Sequence, residues 1–198
     1  MTGEAQLTED PAGRGLRADA RRNRCKVIDA ARARFGEHGP GAQVDDIARD
    51  AGVGVGTVYR HFPTKEALLE ALAADQVRQL TAWAHEALAD GDVWEAFCAY
   101  LRRVGGLHAA DRMLSDVVAS GPGAFPRLAP DLGALNAATS ELLRRAQAAG
   151  AARPDASGAD VAALMCGLGR AVAAFGDQLS PQRYVEIVIA GLRAPPAS

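Results

Sequence analysis

Thr57, Tyr59, Arg60, His61 and Lys65 stand within one short stretch, and each carries a hydrogen-bonding group. A guanidinium and an imidazole suit base edges, whereas a hydroxyl, a phenol and an ammonium suit phosphate oxygens. Nothing around them resembles a catalytic device. There is no nucleophile elbow and no cluster with metal-ligand spacing. Gly52-Val53-Gly54-Val55-Gly56 precedes a helix pattern but follows no strand pattern, so it is not a phosphate-binding loop. Cys25, Cys98 and Cys166 lie far apart, which points to neither a disulfide framework nor a zinc site. The chain reads as a non-enzyme with no cofactor and no metal.

The polar residues need elements to hold them. In residues 44–62, VDDIARDAGVGVGTVYRHF, Val44, Ile47, Ala48 and Ala51 repeat at helical spacing and Gly52 stops the run. After the turn Gly52-Val53-Gly54, a second short helix is expected over Val55 to His61, ended by Pro63. Val58 and Phe62 share its inner side and can pack on Ile47 and Phe35, leaving Thr57, Arg60 and His61 to point elsewhere. Two short helices about a glycine turn form a helix-turn-helix pattern, whose second helix can enter a DNA major groove. A plain helical hairpin with a polar face fits the same spacing.

The wording of the motif narrows this. Ile47-Ala48, Ala51-Gly52-Val53, Gly56-Thr57-Val58-Tyr59, His61-Phe62 and Lys65-Glu66-Ala67-Leu68-Leu69 resemble the TetR family of transcriptional repressors, over about residues 20–70. The resemblance implies that Thr57, Tyr59, Arg60, His61 and Lys65 face DNA, with Tyr59 and Lys65 on phosphates and Arg60 and His61 nearer bases. It brings Gln43, Val55 and Gly56 to the same surface. Departures are visible. Gln43 replaces a capping threonine and is a poor cap, Gly54 replaces a serine, Val55 offers only a contact to a thymine methyl, and Asp45 is a carboxylate where some members carry a base.

The remaining segments alternate Ala/Leu/Arg/Glu-rich stretches with Gly and Pro breaks, and strand signals are nearly absent, so the fold class is all-α. Residues 1–15 are expected to be a disordered tail, residues 16–66 a three-helix helix-turn-helix DNA-binding domain, and residues 67–198 a helical ligand-binding and dimerisation domain. The first helix is expected from about Asp19 to Glu37, with Val27, Ile28, Ala31 and Phe35 inward. Thr64 should cap a long fourth helix. Later helices are expected near Val93–Ala109, Asp111–Ser120, Leu132–Ala149, Ala159–Gly176 and Pro181–Arg193, the last announced by Ser180-Pro181.

Charge follows the same division. The whole chain of 198 residues has a net charge of −2, which by itself argues weakly against nucleic acid. Residues 14–65, however, carry 11 basic and 6 acidic side chains, a net of +5, and the remainder 11 and 18, a net of −7. Arg14, Arg17, Arg21, Arg22, Arg24 and Lys26 form a cluster able to displace counterions from a phosphate backbone.

A reader of this size needs two copies on a pseudo-palindromic double-stranded operator. Leu164, Leu168 and Val172, with Tyr184, Val188 and Leu192, are the residues expected at a homodimer interface. Trp83, Trp94, Phe97, Tyr100, Arg102, Met113, Met165 and Phe175 are the candidates for a small-molecule effector site, with His85, Arg103, His108 and Arg170 as further polar anchors. The expectation is a cytoplasmic, homodimeric, sequence-specific regulator without membrane contact. The family implies a repressor released by an unidentified effector. The alternative is a regulator switched by oxidation of Cys98 or Cys166.

Overall fold

The computed structural model describes residues 11–195 except 111–114, 116, 119–122, 124 and 179. Eight α-helices occur among the described residues: α1 (Pro11–His38), α2 (Val44–Ala51), α3 (Val55–His61), α4 (Lys65–Leu88), α5 (Val93–Ala110), α6 (Ala129–Ala148), α7 (Gly158–Phe175) and α8 (Pro181–Leu192). Single 3-10 turns lie at Gly39–Gly41 and Gly176–Gln178. Strand geometry among these residues is limited to one antiparallel bridge between Ala152 and Arg193. The fold is all-α.

Two compact units divide the chain, Met1–Leu68 and Leu69–Ser198. In the first, Val27, Ile28, Ala31 and Phe35 of α1 are buried with Ile47, Ala48 and Ala51 of α2 and Val58 and Phe62 at α3. Each large apolar side chain removed from water here contributes about 1.5–3 kcal/mol. The start of α1 differs from expectation. The described part of α1 already includes Pro11, inside the stretch read as a tail and ahead of the start expected near Asp19. Thr64 acts as expected at the start of α4, its hydroxyl accepting from the Ala67 amide at 3.1 Å.

The second unit buries Ala73, Val77 and Leu80 of α4 with Phe97, Leu101 and Val104 of α5. Leu142 and Leu143 of α6, Met165 and Leu168 of α7, and Val185 and Ile189 of α8 complete that core. Ser157 opens α7 through a capping box, accepting from the Asp160 amide at 3.2 Å while Asp160 accepts from the Ser157 amide at 2.8 Å. Ser180 caps α8 just before Pro181. Helices α5 and α8 meet at Gly105, where any Cβ would stand 2.2 Å from Val185 Cγ2. The helix expected at Asp111–Ser120 falls largely outside the described residues, although Ser115, Val117 and Val118 are helical.

Candidate functional site

The α2–α3 turn is built from backbone more than side chains. Gly52 adopts φ +65°, and its amide donates to the carbonyls of Ala48 and Arg49, closing α2. Gly54 then starts α3 in extended geometry, and its carbonyl accepts from Thr57 N at 2.8 Å. Gln43 makes no side-chain cap on α2. Its amide turns back and donates to the Gly41 carbonyl at 2.8 Å.

Helix α3 has two faces. Val58 and Phe62 are buried, while Gly56 and Arg60 are exposed and Tyr59 shows 46% of its surface. Val55, Thr57, His61 and Lys65 are half-buried, and Gln43 is exposed. Two cations are held on aromatic rings beside this surface. The Arg24 guanidinium lies 5.2 Å from the Phe62 ring centroid, and Lys65 Nζ lies 5.7 Å from that of Phe35. Arg21, Arg22, Arg24 and Lys26 line α1 as exposed side chains. Arg34 braces α1 against α2 through a forked pair with Asp50, one arm of it 3.0 Å long. That hydrogen bond holds the Asp50 carboxyl below its ordinary range and raises Arg34.

The second unit holds a cavity of about 520 Å³ that is partly open to solvent, with Asn136, Gly167 and Arg170 exposed along its edge. Tyr100, Val104 and His108 of α5 line it with Leu135, Asn136 and Thr139 of α6, and Val161, Met165, Cys166 and Arg170 of α7. The Tyr100 hydroxyl and Thr139 Oγ1 share a hydrogen bond of 2.8 Å. Burial pushes the Tyr100 phenol up to about 12, so it keeps its proton. His108 Nδ1 lies 2.8 Å from the Ser115 hydroxyl.

Of the expected effector residues, Tyr100 and Met165 reach this cavity, and Met113 lies outside the described residues. The others are placed elsewhere. Trp83 carries Arg103 on its face at 4.2 Å, and Trp94 carries Arg193 at 5.3 Å. Phe97 is wholly within the core. Arg102 points outward to Glu95 and Glu186, both at 2.7 Å, which raise its pKa. Phe175 is 58% exposed. These side chains do not border the cavity, because they fill the core, stack on cations or face outward. Asn136 and Thr139 were missed, yet Thr139 interrupts the stripe Leu132, Leu135, Leu142 and Leu143, a polar break readable from sequence. His108 and Arg170, flagged only as further anchors, do line the wall.

The expected dimer residues divide similarly. Leu164 (43%), Tyr184 (38%) and also Ile187 (54%) are exposed, and Val172 and Val188 are half-buried. Leu168 and Leu192, also expected there, are buried in their own unit's core. Burial also raises the Cys98 thiol to about 11, which keeps it from the thiolate form that oxidation requires. No helix among the described residues is long and apolar enough to cross a membrane.

Comparison with known proteins agrees with this geometry. Residues 27–72 match the model for bacterial regulatory proteins of the tetR family, and residues 92–194 that for the C-terminal domain of SbtR-like transcriptional regulators. The HTH-type transcriptional regulator TtgW of Pseudomonas putida is 44% identical over 64 residues, covering 32% of this chain and 48% of that one. A second such regulator, SAR0097 of Staphylococcus aureus, is 40% identical over 52 residues, 26% and 27% of the two lengths. The chain thus spans less than half the length of these curated relatives. Solved structures match more fully. A TetR regulatory protein of Mycobacterium vanbaalenii is 39% identical, covers 90% of this chain and 99% of its own, and has a TM-score of 0.58. The regulator SCO0520 of Streptomyces coelicolor gives 34%, 88%, 99% and 0.60. With a helix-turn-helix in the first unit and family models matching residues 27–72 and 92–194, the chain belongs to the TetR family of DNA-binding transcriptional regulators.

Proposed function

We propose that the protein is a homodimeric repressor, with residues 16–66 reading a pseudo-palindromic operator and residues 67–198 pairing the subunits and holding an effector. The observation that carries this is the division of α3, where Val58 and Phe62 anchor the helix and Tyr59 and Arg60 stand clear of the unit. Gln43, Val55, Gly56, Thr57, His61 and Lys65 complete the proposed contact surface. Tyr59, Lys65 and the α1 cations meet phosphates, whereas Arg60 and His61 reach base edges. The exposed apolar side chains Leu164, Tyr184 and Ile187 support pairing, because an isolated chain would leave them in water.

Two reading helices fit one face of B-DNA when they stand about 34–36 Å apart, one turn of the duplex. An effector in the cavity that favours any other spacing lowers operator affinity by its differential binding to the two states. In vitro selection from random DNA should enrich a dyad site. Arg60→Ala should then weaken binding to that site by about 1–3 kcal/mol. Selection without a dyad, or an Arg60→Ala variant that binds as tightly as the parent, would overturn the reading.

A further inference from the structure

The cavity has a chemical character beyond its size. Its volume of about 520 Å³ lies within the roughly 300–1,000 Å³ typical of small-molecule sites. Val104, Leu135, Val161 and Met165 make much of the wall apolar. No acidic side chain lines it among the described residues, so a cationic guest would lose its hydration without gaining a counter-charge. The permanent cation on the wall, Arg170, is solvent-exposed.

Polar groups sit at two places along α5. His108 lies eight residues after Tyr100, about 12 Å by helical rise. The His108 imidazole is already engaged with Ser115. The Tyr100–Thr139 pair is different. Two hydroxyls joined by one hydrogen bond use one hydrogen, leaving a second hydrogen and further lone pairs for a guest. Both residues are buried, so bulk water does not satisfy that capacity.

We propose that the cavity takes an uncharged, largely apolar small molecule carrying a hydrogen-bonding oxygen, and that this oxygen seats on the Tyr100–Thr139 hydroxyl pair. The proposal rests on the reading of the cavity as the effector site. A protonated phenol can donate to a carbonyl or ether, and the pair can accept from an alcohol or phenol. A carboxylate at this end would have to shed its water against an apolar wall.

The test uses the full chain and five probes of one shape: biphenyl, para-phenylphenol, para-acetylbiphenyl, para-phenylbenzoate and para-phenylbenzylamine, each titrated calorimetrically. The phenol and the ketone should bind roughly three- to tenfold tighter than biphenyl, the worth of one neutral hydrogen bond. Tyr100→Phe and Thr139→Val, made singly and together, should remove that preference, read as the ratio of each probe's affinity to that of biphenyl in the same variant. Tighter binding of the benzoate or the benzylamine, or a preference that survives both substitutions, overturns the proposal. Ala162→Phe, which fills the cavity, separates the two levels. If biphenyl binds and Ala162→Phe abolishes it, but oxygen earns no preference, the ligand class is wrong and the cavity reading stands. If no probe binds, or if Ala162→Phe changes nothing, both are wrong.

Discussion

Gly105→Ala and Gly106→Ala are neighbouring substitutions on α5 with the same effect on helix propensity, and they should move stability in opposite directions. Alanine in place of glycine in a helix interior gains about 0.8–1.0 kcal/mol. At Gly106 nothing lies within 4 Å of the added Cβ, so most of that gain should appear. At Gly105 the Cβ would stand 2.2 Å from Val185 Cγ2 and 3.4 Å from Leu168 Cδ2. Ordinary carbon contacts are about 3.5–4.0 Å, so Val185 must retreat by more than about 1 Å. Val185 is buried and branched at Cβ, which leaves it few rotamers for the retreat. Overpacking of this kind costs about 1–3 kcal/mol. Because the helix gain is common to both variants, this cost is the whole difference between them. Urea denaturation at fixed protomer concentration measures it directly, and a thermal midpoint should differ by about 2–4 °C per kcal/mol. Val185→Ala should cost less in the Gly105→Ala background than in the parent. If Gly105→Ala is as stable as Gly106→Ala, α5 and α8 do not approach as closely as described and the reasoning fails.

Three further outcomes can be checked. Asp50→Asn should destabilise the protein at neutral pH. Arg34 depresses the Asp50 carboxyl, so the pair's contribution is complete above the ordinary carboxylate value of about 3.9 and drains away as pH falls through the lowered one. The gap between parent and variant should therefore close in acid, and a gap constant with pH would refute the assignment. Ile187→Arg or Leu164→Arg should yield monomers by sedimentation with helical content unchanged, and a persistent dimer would remove this face from the interface. Iodoacetamide should label Cys25 in the native protein and reach Cys98 only on unfolding, as mapped by mass spectrometry. Rapid labelling of Cys98 in the native protein would contradict its burial.

What was readable in the chain depended on how local its cause was. Gly52, Gly54, Thr64 and Ser180-Pro181 act through their own backbone and caps, and α3 spans the expected residues. The inward stripe of α1 was equally plain, since periodicity alone decides it. A cavity is a different kind of object. It exists where the side chains of α5, α6 and α7 fail to fill the space between them, and no single helix pattern records that failure. Large rings were therefore poor guides, because Phe97 fills space instead of bordering it. Helix α7 shows the limit most clearly. Val161, Leu164, Met165 and Leu168 form one apolar run in sequence, yet they divide among the cavity, the core and the exposed face.

The placement of the tryptophans has an experimental consequence. The chain's 2 tryptophans, Trp83 on α4 and Trp94 on α5, both belong to the unit Leu69–Ser198, each beneath an arginine. The unit that carries α3 has no indole, and its Tyr59 phenol absorbs only at shorter wavelengths, so light that excites tryptophan alone leaves that unit dark. A change in tryptophan emission when DNA is added is therefore a change within the unit Leu69–Ser198. The unmodified protein is thereby an optical reporter of communication between its two halves, with no engineered label required.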